Sequence, residues 1–388
     1  MSSIEPLIGA PRTTRDASRL TDDELRVAVV SDATAERNGV GSYYADLVQQ
    51  LQDRIGRAEL ICPRDRPGGL QRYLAPPLPG DSTQRIWLPR PLKLWRQISR
   101  IAPHAIVVPT PGPYGIAGMY AARRLRVPLI VGFHTHYEAL TDIYWQDTFG
   151  RICRSYLTWC NRLLFRHSSL VLANSPEMAR QAMNMGAPGA ELMGTSVASE
   201  FLARPLVPLQ PASNRILFAG RLAEEKNVPK VIEVARARPH LTVSIAGDGP
   251  LRRKIVEAAA TIPNLHYLGW VSRSELIDAM DAHDLLLLPS KVESFGTVAL
   301  EGMARGRPVI VSGDCGIAEW PELDAALFRI HDGETVLEAV DRVVALPFDV
   351  RHERAKLAHD AAARLNAWNV DTWIDRLRTS RGDRSGRA

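Results

Sequence analysis

Apolar residues recur along this chain in two alternating rhythms, short unbroken runs that predict buried strands and longer stretches with helical spacing. The first series opens on Arg26-Val-Ala-Val-Val-Ser31, passes a glycine-bearing turn and continues in a helical period through Tyr43, Leu47, Val48 and Leu51. Further strands are predicted at Ala58 to Cys62, Ala105 to Val108, Leu129 to Phe133 and Ser169 to Ala173. A second, more regular series places strands at Arg215 to Ala219, Leu241 to Ala246, Leu265 to Leu268, Leu285 to Leu288 and Pro308 to Val311. Helical stretches near Pro229, Leu251, Ser274 and Val298 alternate with them.

Strands that are apolar on both faces and joined by helix-length connections imply parallel sheets with right-handed crossovers. The expected fold is therefore α/β, with two Rossmann-like domains whose sheets face each other across a cleft. Leu206-Val-Pro-Leu-Gln-Pro-Ala-Ser213 breaks both rhythms and reads as the linker. The expected division is a disordered leader over 1–25, an N-terminal Rossmann-like domain over 26–205, the linker over 206–213 and a C-terminal Rossmann-like domain over 214–365. A closing helix and tail occupy 366–388, with Trp368, Val370 and Trp373 as apolar positions open to a return onto the first domain. Ligands of such sheets bind outside the carboxyl ends of the strands, so the cleft is the expected site.

The 388 residues exceed one ordinary core, and 45% hydrophobic against 23% charged residues is the balance of a globular protein. Four scattered cysteines, with neither a CxxC pair nor a zinc spacing, predict free thiols in a reducing cytoplasm. Neither a membrane-length apolar run nor a signal-peptide core occurs. The net charge of +5 is uneven: Arg26 to Glu200 holds 20 basic and 13 acidic residues, Phe201 to Ala388 holds 25 of each. Such an excess suits ordinary solubility and anionic lipid equally, and no nucleic-acid module accompanies it.

Glu293-Ser-Phe-Gly-Thr-Val-Ala-Leu-Glu301 carries the sharpest chemistry. Glu293 falls on a loop after a strand, and Thr297 to Arg305 reads as a helix closed by Gly306-Arg-Pro308. Amides of Phe295, Gly296 and Thr297 then point out of a helix start, where unpaired donors and the dipole favour phosphate. Glu301 lies about 6 Å further along the axis, the reach from a phosphate to a ribose diol. Two glutamates at this spacing, taken alone, usually describe a solvated helix face.

The whole segment, continued by Gly-Met-Ala-Arg-Gly-Arg-Pro-Val, resembles the paired-glutamate signature of the retaining GT-B glycosyltransferases of family four. Upstream, Phe218-Ala-Gly-Arg221-Leu-Ala-Glu-Glu-Lys226-Asn is similar to that family's Gly-Arg…Glu-Lys turn, and the likeness spans roughly Arg26 to Arg305. It implies that Glu293 contacts the transferred sugar, Glu301 the ribose, and Arg221 and Lys226 the diphosphate. Gly39 and Gly41, in Asn38-Gly-Val-Gly41, become phosphate-facing, although no third glycine completes a dinucleotide fingerprint. His134, in Gly132-Phe-His134-Thr-His136-Tyr, takes the place of a catalytic histidine near the sugar, while His136 departs from the family's aspartate.

The resemblance implies a nucleotide-diphosphate sugar donor of the UDP-glucose or GDP-mannose type and a lipid or glycan acceptor, with neither cofactor nor metal, since no Asp-x-Asp pair occurs. An epimerase on the same fold and a non-catalytic sugar-nucleotide binder are the alternatives. Pro91-Leu-Lys-Leu-Trp95-Arg-Gln-Ile-Ser-Arg100 and Tyr156-Leu-Thr-Trp159-Cys-Asn-Arg162-Leu-Leu-Phe-Arg166 are basic and aromatic. They suit amphipathic core helices with a basic edge first, and peripheral contact with an anionic membrane second.

Overall fold

The computed structural model describes residues 21–34, 39–63, 77–78, 81–134, 148–212 and 214–379. The first half comprises β1 (Arg26–Val30), α1 (Gly39–Gln52), β2 (Arg57–Ile61), a hairpin of β3 (Pro77–Leu78) and β4 (Asp81–Arg85), α2 (Pro91–Ile101), β5 (Ala105–Val108), α3 (Pro113–Leu125), β6 (Leu129–Phe133), α4 (Thr148–His167), β7 (Leu170–Ala173), α5 (Pro176–Asn184) and β8 (Ala190–Leu192). A short helix, α6 (Ser199–Ala203), leads into the second half: β9 (Arg215–Ala219), α7 (Val228–Ala237), β10 (Thr242–Ala246), α8 (Arg252–Ala259), β11 (Leu265–Gly269), α9 (Arg273–Ala282), β12 (Leu285–Leu288), α10 (Thr297–Ala304), β13 (Val309–Val311), α11 (Pro321–Asp324), β14 (Phe328–Arg329), α12 (Val336–Val344) and α13 (Phe348–Thr379).

Two six-stranded parallel sheets result, ordered β2-β1-β5-β6-β7-β8 and β11-β10-β9-β12-β13-β14. Each winds one way and then reverses, at β1/β5 and at β9/β12, which opens a crevice beyond the strand ends at each switch point. The apolar runs of the sequence are explained by burial on both faces. In β1, Ala28 and Val30 enter one core and Val27 and Val29 the other. The weakly apolar edge strands β8 and β14 carry no such signal and exist through pairing with β7 and β13.

Residues 21–25, expected within a disordered leader, are instead ordered, because Leu25 is fully buried under α1 and α13 and Asp22 pairs with Arg378. The last helix is also longer than its sequence pattern predicted. Over 32 residues, about 48 Å, α13 places Ala358, Ala361, Ala362 and Leu365 in the core shared with α10, and Val370, Trp373, Ile374 and Leu377 in the core shared with β1 and α1. Among the described residues no helix is long and apolar enough to cross a membrane.

The connection between the halves is held by a buried cation. Arg305, with no solvent exposure, donates to the carbonyls of Phe201 (2.9 Å), Arg204 (2.8 Å) and Pro205 (2.7 Å), and forks onto Asp281 at 3.0 and 2.8 Å. Five hydrogen bonds saturate the guanidinium, so its burial is compensated. Arg305→Ala is expected to lower unfolding free energy by roughly 3–5 kcal/mol by stranding Asp281 and three carbonyls. The change should appear as a lower urea midpoint, with Arg305→Lys intermediate because it keeps the charge but not the fork.

Candidate functional site

The two loops at the β9/β12 switch point meet. A 3-10 turn at Glu224–Lys226 follows β9, and the Lys291 amide, on the loop after β12, donates to the Glu225 carbonyl at 2.7 Å. This brings the Lys226 ammonium onto the Glu293 carboxylate, with both side chains about one-fifth exposed. Arg221 forks back to Glu225 at 2.8 Å. Burial acts against the Lys226 ammonium, but Glu293 and then Glu225 outweigh it and hold the pKa above the usual lysine range. The outcome is a row of alternating charge, Arg221, Glu225, Lys226, Glu293, at the crevice.

The backbone beyond Glu293 is stitched to a neighbouring loop, since Gly316 donates to the Glu293 carbonyl at 2.9 Å and Ile317 to that of Phe295 at 2.7 Å. Gly296 caps α10 with φ +97°, and a Cβ there would stand 2.8 Å from the Cys315 sulfur, so both the backbone and the space demand glycine. Phe295 is buried with its ring edge-on to Trp320, which leaves only its backbone available to a ligand. The first amides of α10, from Thr297, lack an intrahelical acceptor.

Glu301 lies one turn into α10, partly buried. Burial, then the nearby Asp46 carboxylate, push its pKa up to about 8, with Arg273 opposing. Asp46 belongs to α1 of the first half and is itself raised to about 6, mainly by burial. Arg273, at the start of α9, grips it bidentately at 2.7 and 2.8 Å. Arg273 of the second half thus holds a carboxylate of the first across the cleft. A second crossing contact runs from the Trp320 indole to the Asn174 carbonyl, 2.9 Å.

On the first half, Gly39 and Gly41 open α1, Gly39 exposed with open space around its Cα and Gly41 buried. Asn38 and His136 lie outside the described residues. His134 ends β6, buried, with Nε2 2.7 Å from the Tyr44 hydroxyl. A side chain at Gly132 would collide with that hydroxyl at 2.2 Å, so glycine is what admits the contact. Burial lowers the His134 pKa to about 4, partly offset by Asn174, so the imidazole is neutral near pH 7. The structure therefore joins Lys226 to Glu293 and Arg221 to their row, and ties His134 to Tyr44 and Asn174 of its own half.

Asp46, Arg273 and Tyr44 escaped the sequence reading. Arg273 follows the capping residue Ser272 and looks like ordinary surface charge, and its partner is 227 residues away.

Two parallel sheets with donor-type crevices joined by a short linker define a GT-B architecture. The description "Glycosyl transferases group 1" matches residues 204–362 and "Glycosyl transferase 4-like domain" matches 38–193. Together these cover most of the chain, which belongs to the group 1 glycosyl transferases of family four. Relatives include a GDP-mannose-dependent alpha-mannosyltransferase of Mycolicibacterium smegmatis, 26% identical over 74% of this chain and 79% of that one. The sulfoquinovosyl transferase of Arabidopsis thaliana is 25% identical over 58% of this chain, which spans 45% of that protein's length. Among solved structures, sucrose-phosphate synthase from Thermosynechococcus elongatus superposes with a TM-score of 0.68 at 17% identity, covering 91% of this chain and 98% of that one. The Anabaena protein HepE, in complex with UDP-glucose, gives 0.64 at 17% identity with the same coverage.

A carboxyl group raised in the native state holds a proton that the unfolded chain has released. Its contribution to stability is thus present below the ordinary carboxylate value and lost as pH rises through about 8. Between pH 6 and pH 9 the ligand-free melting temperature should fall less in Glu301→Gln than in the parent. Parallel declines would remove Glu301 as the source.

Proposed function

We propose that this chain transfers a hexose from a nucleotide-diphosphate sugar, of the UDP-glucose or GDP-mannose type, to a lipid or glycan acceptor with retention of anomeric configuration. It works in the cytoplasm, at the inner face of the cell membrane. The observation that carries this reading is the Lys226–Glu293 pair beside the α10 N-terminus, at the switch point of the second sheet. The names of two relatives and one ligand-bound neighbour, with GDP-mannose, sulfoquinovose and UDP-glucose, support a sugar-nucleotide donor.

An incoming diphosphate competes with Glu293 for Lys226, and an ammonium already held charged is ready to receive it. Release frees Glu293 to accept hydroxyls of the sugar, while Glu301, which holds a proton below about pH 8, donates to one ribose hydroxyl and accepts from the other. Leaving-group charge is met by Arg221, Lys226 and the amides of Phe295, Gly296 and Thr297, donors fixed before the bond breaks. Front-face attack follows, with the departing phosphate oxygen taking the acceptor proton, so no metal, cofactor or covalent nucleophile is required. Neutral His134 positions the sugar's far side and is no proton donor near pH 7. Domain closure excludes water and strengthens each of these charges.

A saturating donor raises stability by about 2.7 kcal/mol at one hundred times its Kd, so a thermal-shift series with UDP- and GDP-sugars should single out one of them. Lys226→Ala and Arg221→Ala should each slow acceptor-dependent release of nucleoside diphosphate by about 10²–10³-fold, the effect of removing one preorganised donor. Release that needs no acceptor, or undiminished transfer in both variants, would overturn the assignment.

A further inference from the structure

We propose that the outward layer formed by α2, α3 and α4 is an interfacial face that docks on an anionic lipid bilayer, an inference that builds on the reading of the acceptor as lipid-linked. These three helices lie side by side over one face of the first sheet. Their inward positions, among them Ile98, Met119 and Phe165, share one core with Ala28 and Val30. Their outward positions are unlike the rest of the surface.

Residues 82–137 contain no aspartate or glutamate, and neither do residues 148–176. Solubilising surfaces mix both signs, and elsewhere this chain does so, with 43 acidic against 36 basic residues outside these two segments. On this layer Lys93, Arg96 and Arg100 project from α2, Arg123 and Arg124 from α3, and Arg151 and Arg162 from α4, all exposed. Large apolar side chains stand among them: Leu92 is 73% exposed, Tyr120 61%, Ile152 60% and Trp159 57%. Cations interleaved with outward aromatic and aliphatic groups are the composition that binds anionic headgroups and dips into the acyl boundary.

The pattern favours a bilayer over its competitors. Leu92 and Ile152 gain nothing from a phosphodiester backbone, so nucleic acid leaves them in water. A second copy docked on the same face about a two-fold axis would set these cations against one another, without a carboxylate on the three helices to separate them. An anionic membrane satisfies both classes of side chain together.

The placement also serves the cleft. The first turn of α3 adjoins the end of β1, with the Tyr114 amide donating to Asp32 at 2.7 Å, and Arg90, just before α2, acts electrostatically on Tyr114. Beside the start of α2 a groove of about 840 Å³ is walled by Trp87, Arg90, Lys93, Arg96 and others, mixing cations with apolar side chains as the outward layer does. Docked by this layer, the protein would hold the mouth of its first-half crevice against the headgroup plane.

Flotation of the full chain with vesicles of phosphatidylcholine alone, and with phosphatidylglycerol added, tests this. Binding is expected only with the anionic lipid and should weaken with salt. Lys93→Gln and Arg96→Gln should each lower the partition coefficient roughly fivefold, the conversion of about 1 kcal/mol per basic residue at an anionic surface. Leu92→Asp and Trp159→Asp, at exposed positions that leave the cores intact, should reduce it further. The face is not a docking surface if the parent stays unbound, if it binds neutral vesicles equally, or if the four variants float as the parent does. Competition from a short nucleic-acid duplex of equal affinity, or a lipid-free dimer that Trp159→Asp dissociates, would likewise overturn the proposal by assigning the face to another partner. Donor thermal shifts measured on the same proteins separate the two readings: flotation without any shift would remove the transferase reading and leave docking standing.

Discussion

One rigid helix fixes the relation of the two halves. Because α13 contributes Leu365 to the core around α10 and Trp373 to the core around α1, neither half can complete its apolar interior without the other. Trp373 also donates its indole N–H to the Tyr43 hydroxyl at 2.8 Å, and Asn369, one turn earlier, bonds Ser196. Near the other end Arg351 reaches the Pro211 carbonyl at 2.7 Å, so the linker is pinned from α13 as well as from Arg305. Opening of the cleft must therefore bend or pivot α13 rather than simply stretch the linker, which limits closure to a hinge between two fixed anchors.

Within that frame the ligand-free cleft neutralises itself. Lys226 rests on Glu293, Arg221 on Glu225, and Arg273 on Asp46. Each pair keeps a charge in place that burial alone would discourage, at the cost of having to be broken or shared when a ligand arrives. The costs differ in kind. Breaking Lys226–Glu293 separates two groups of the second half, whereas breaking Arg273–Asp46 removes a contact between the halves. Asp46 and Arg273 act electrostatically on Glu301 in opposite directions, so its protonation is coupled to that contact across the cleft.

The sheets were legible in the sequence because strands such as Leu285–Leu288 are apolar on both faces and need no partner to announce themselves. The grouping of Arg221, Lys226 and Glu293 has a related origin: they fall within two continuous strand-loop-helix segments, where local spacing carries the geometry. What was missed depends on long-range packing. Leu25 is buried only because α13 returns across β1, and Arg273 finds Asp46 only once two sheets have been set face to face. The family resemblance placed His134 near the sugar, but its neutrality follows from burial beside Tyr44, Asn174 and Gly132, which no single stretch of sequence reveals.

Both sheets have the same reversal of winding, so topology alone offers two equivalent crevices for a diphosphate. Electrostatics breaks the tie. At the β1/β5 switch point Asp32 already occupies the helix start, its carboxylate accepting from the Thr110 hydroxyl at 2.8 Å and from the amides of Gly112, Tyr114 and Gly115 at 3.0, 2.7 and 3.1 Å. Four donors are spent on an anion of the chain's own, and a phosphate approaching α3 would meet a carboxylate whose burial already raises its pKa to about 6. At the β9/β12 switch point the helix is capped by Gly296, and the acid beside it, Glu293, is already paired with the Lys226 ammonium. The two switch points therefore differ in their electrostatics: α3 begins on a carboxylate of the chain's own that takes up its first amides, whereas beside α10 the neighbouring carboxylate is countered by the Lys226 ammonium.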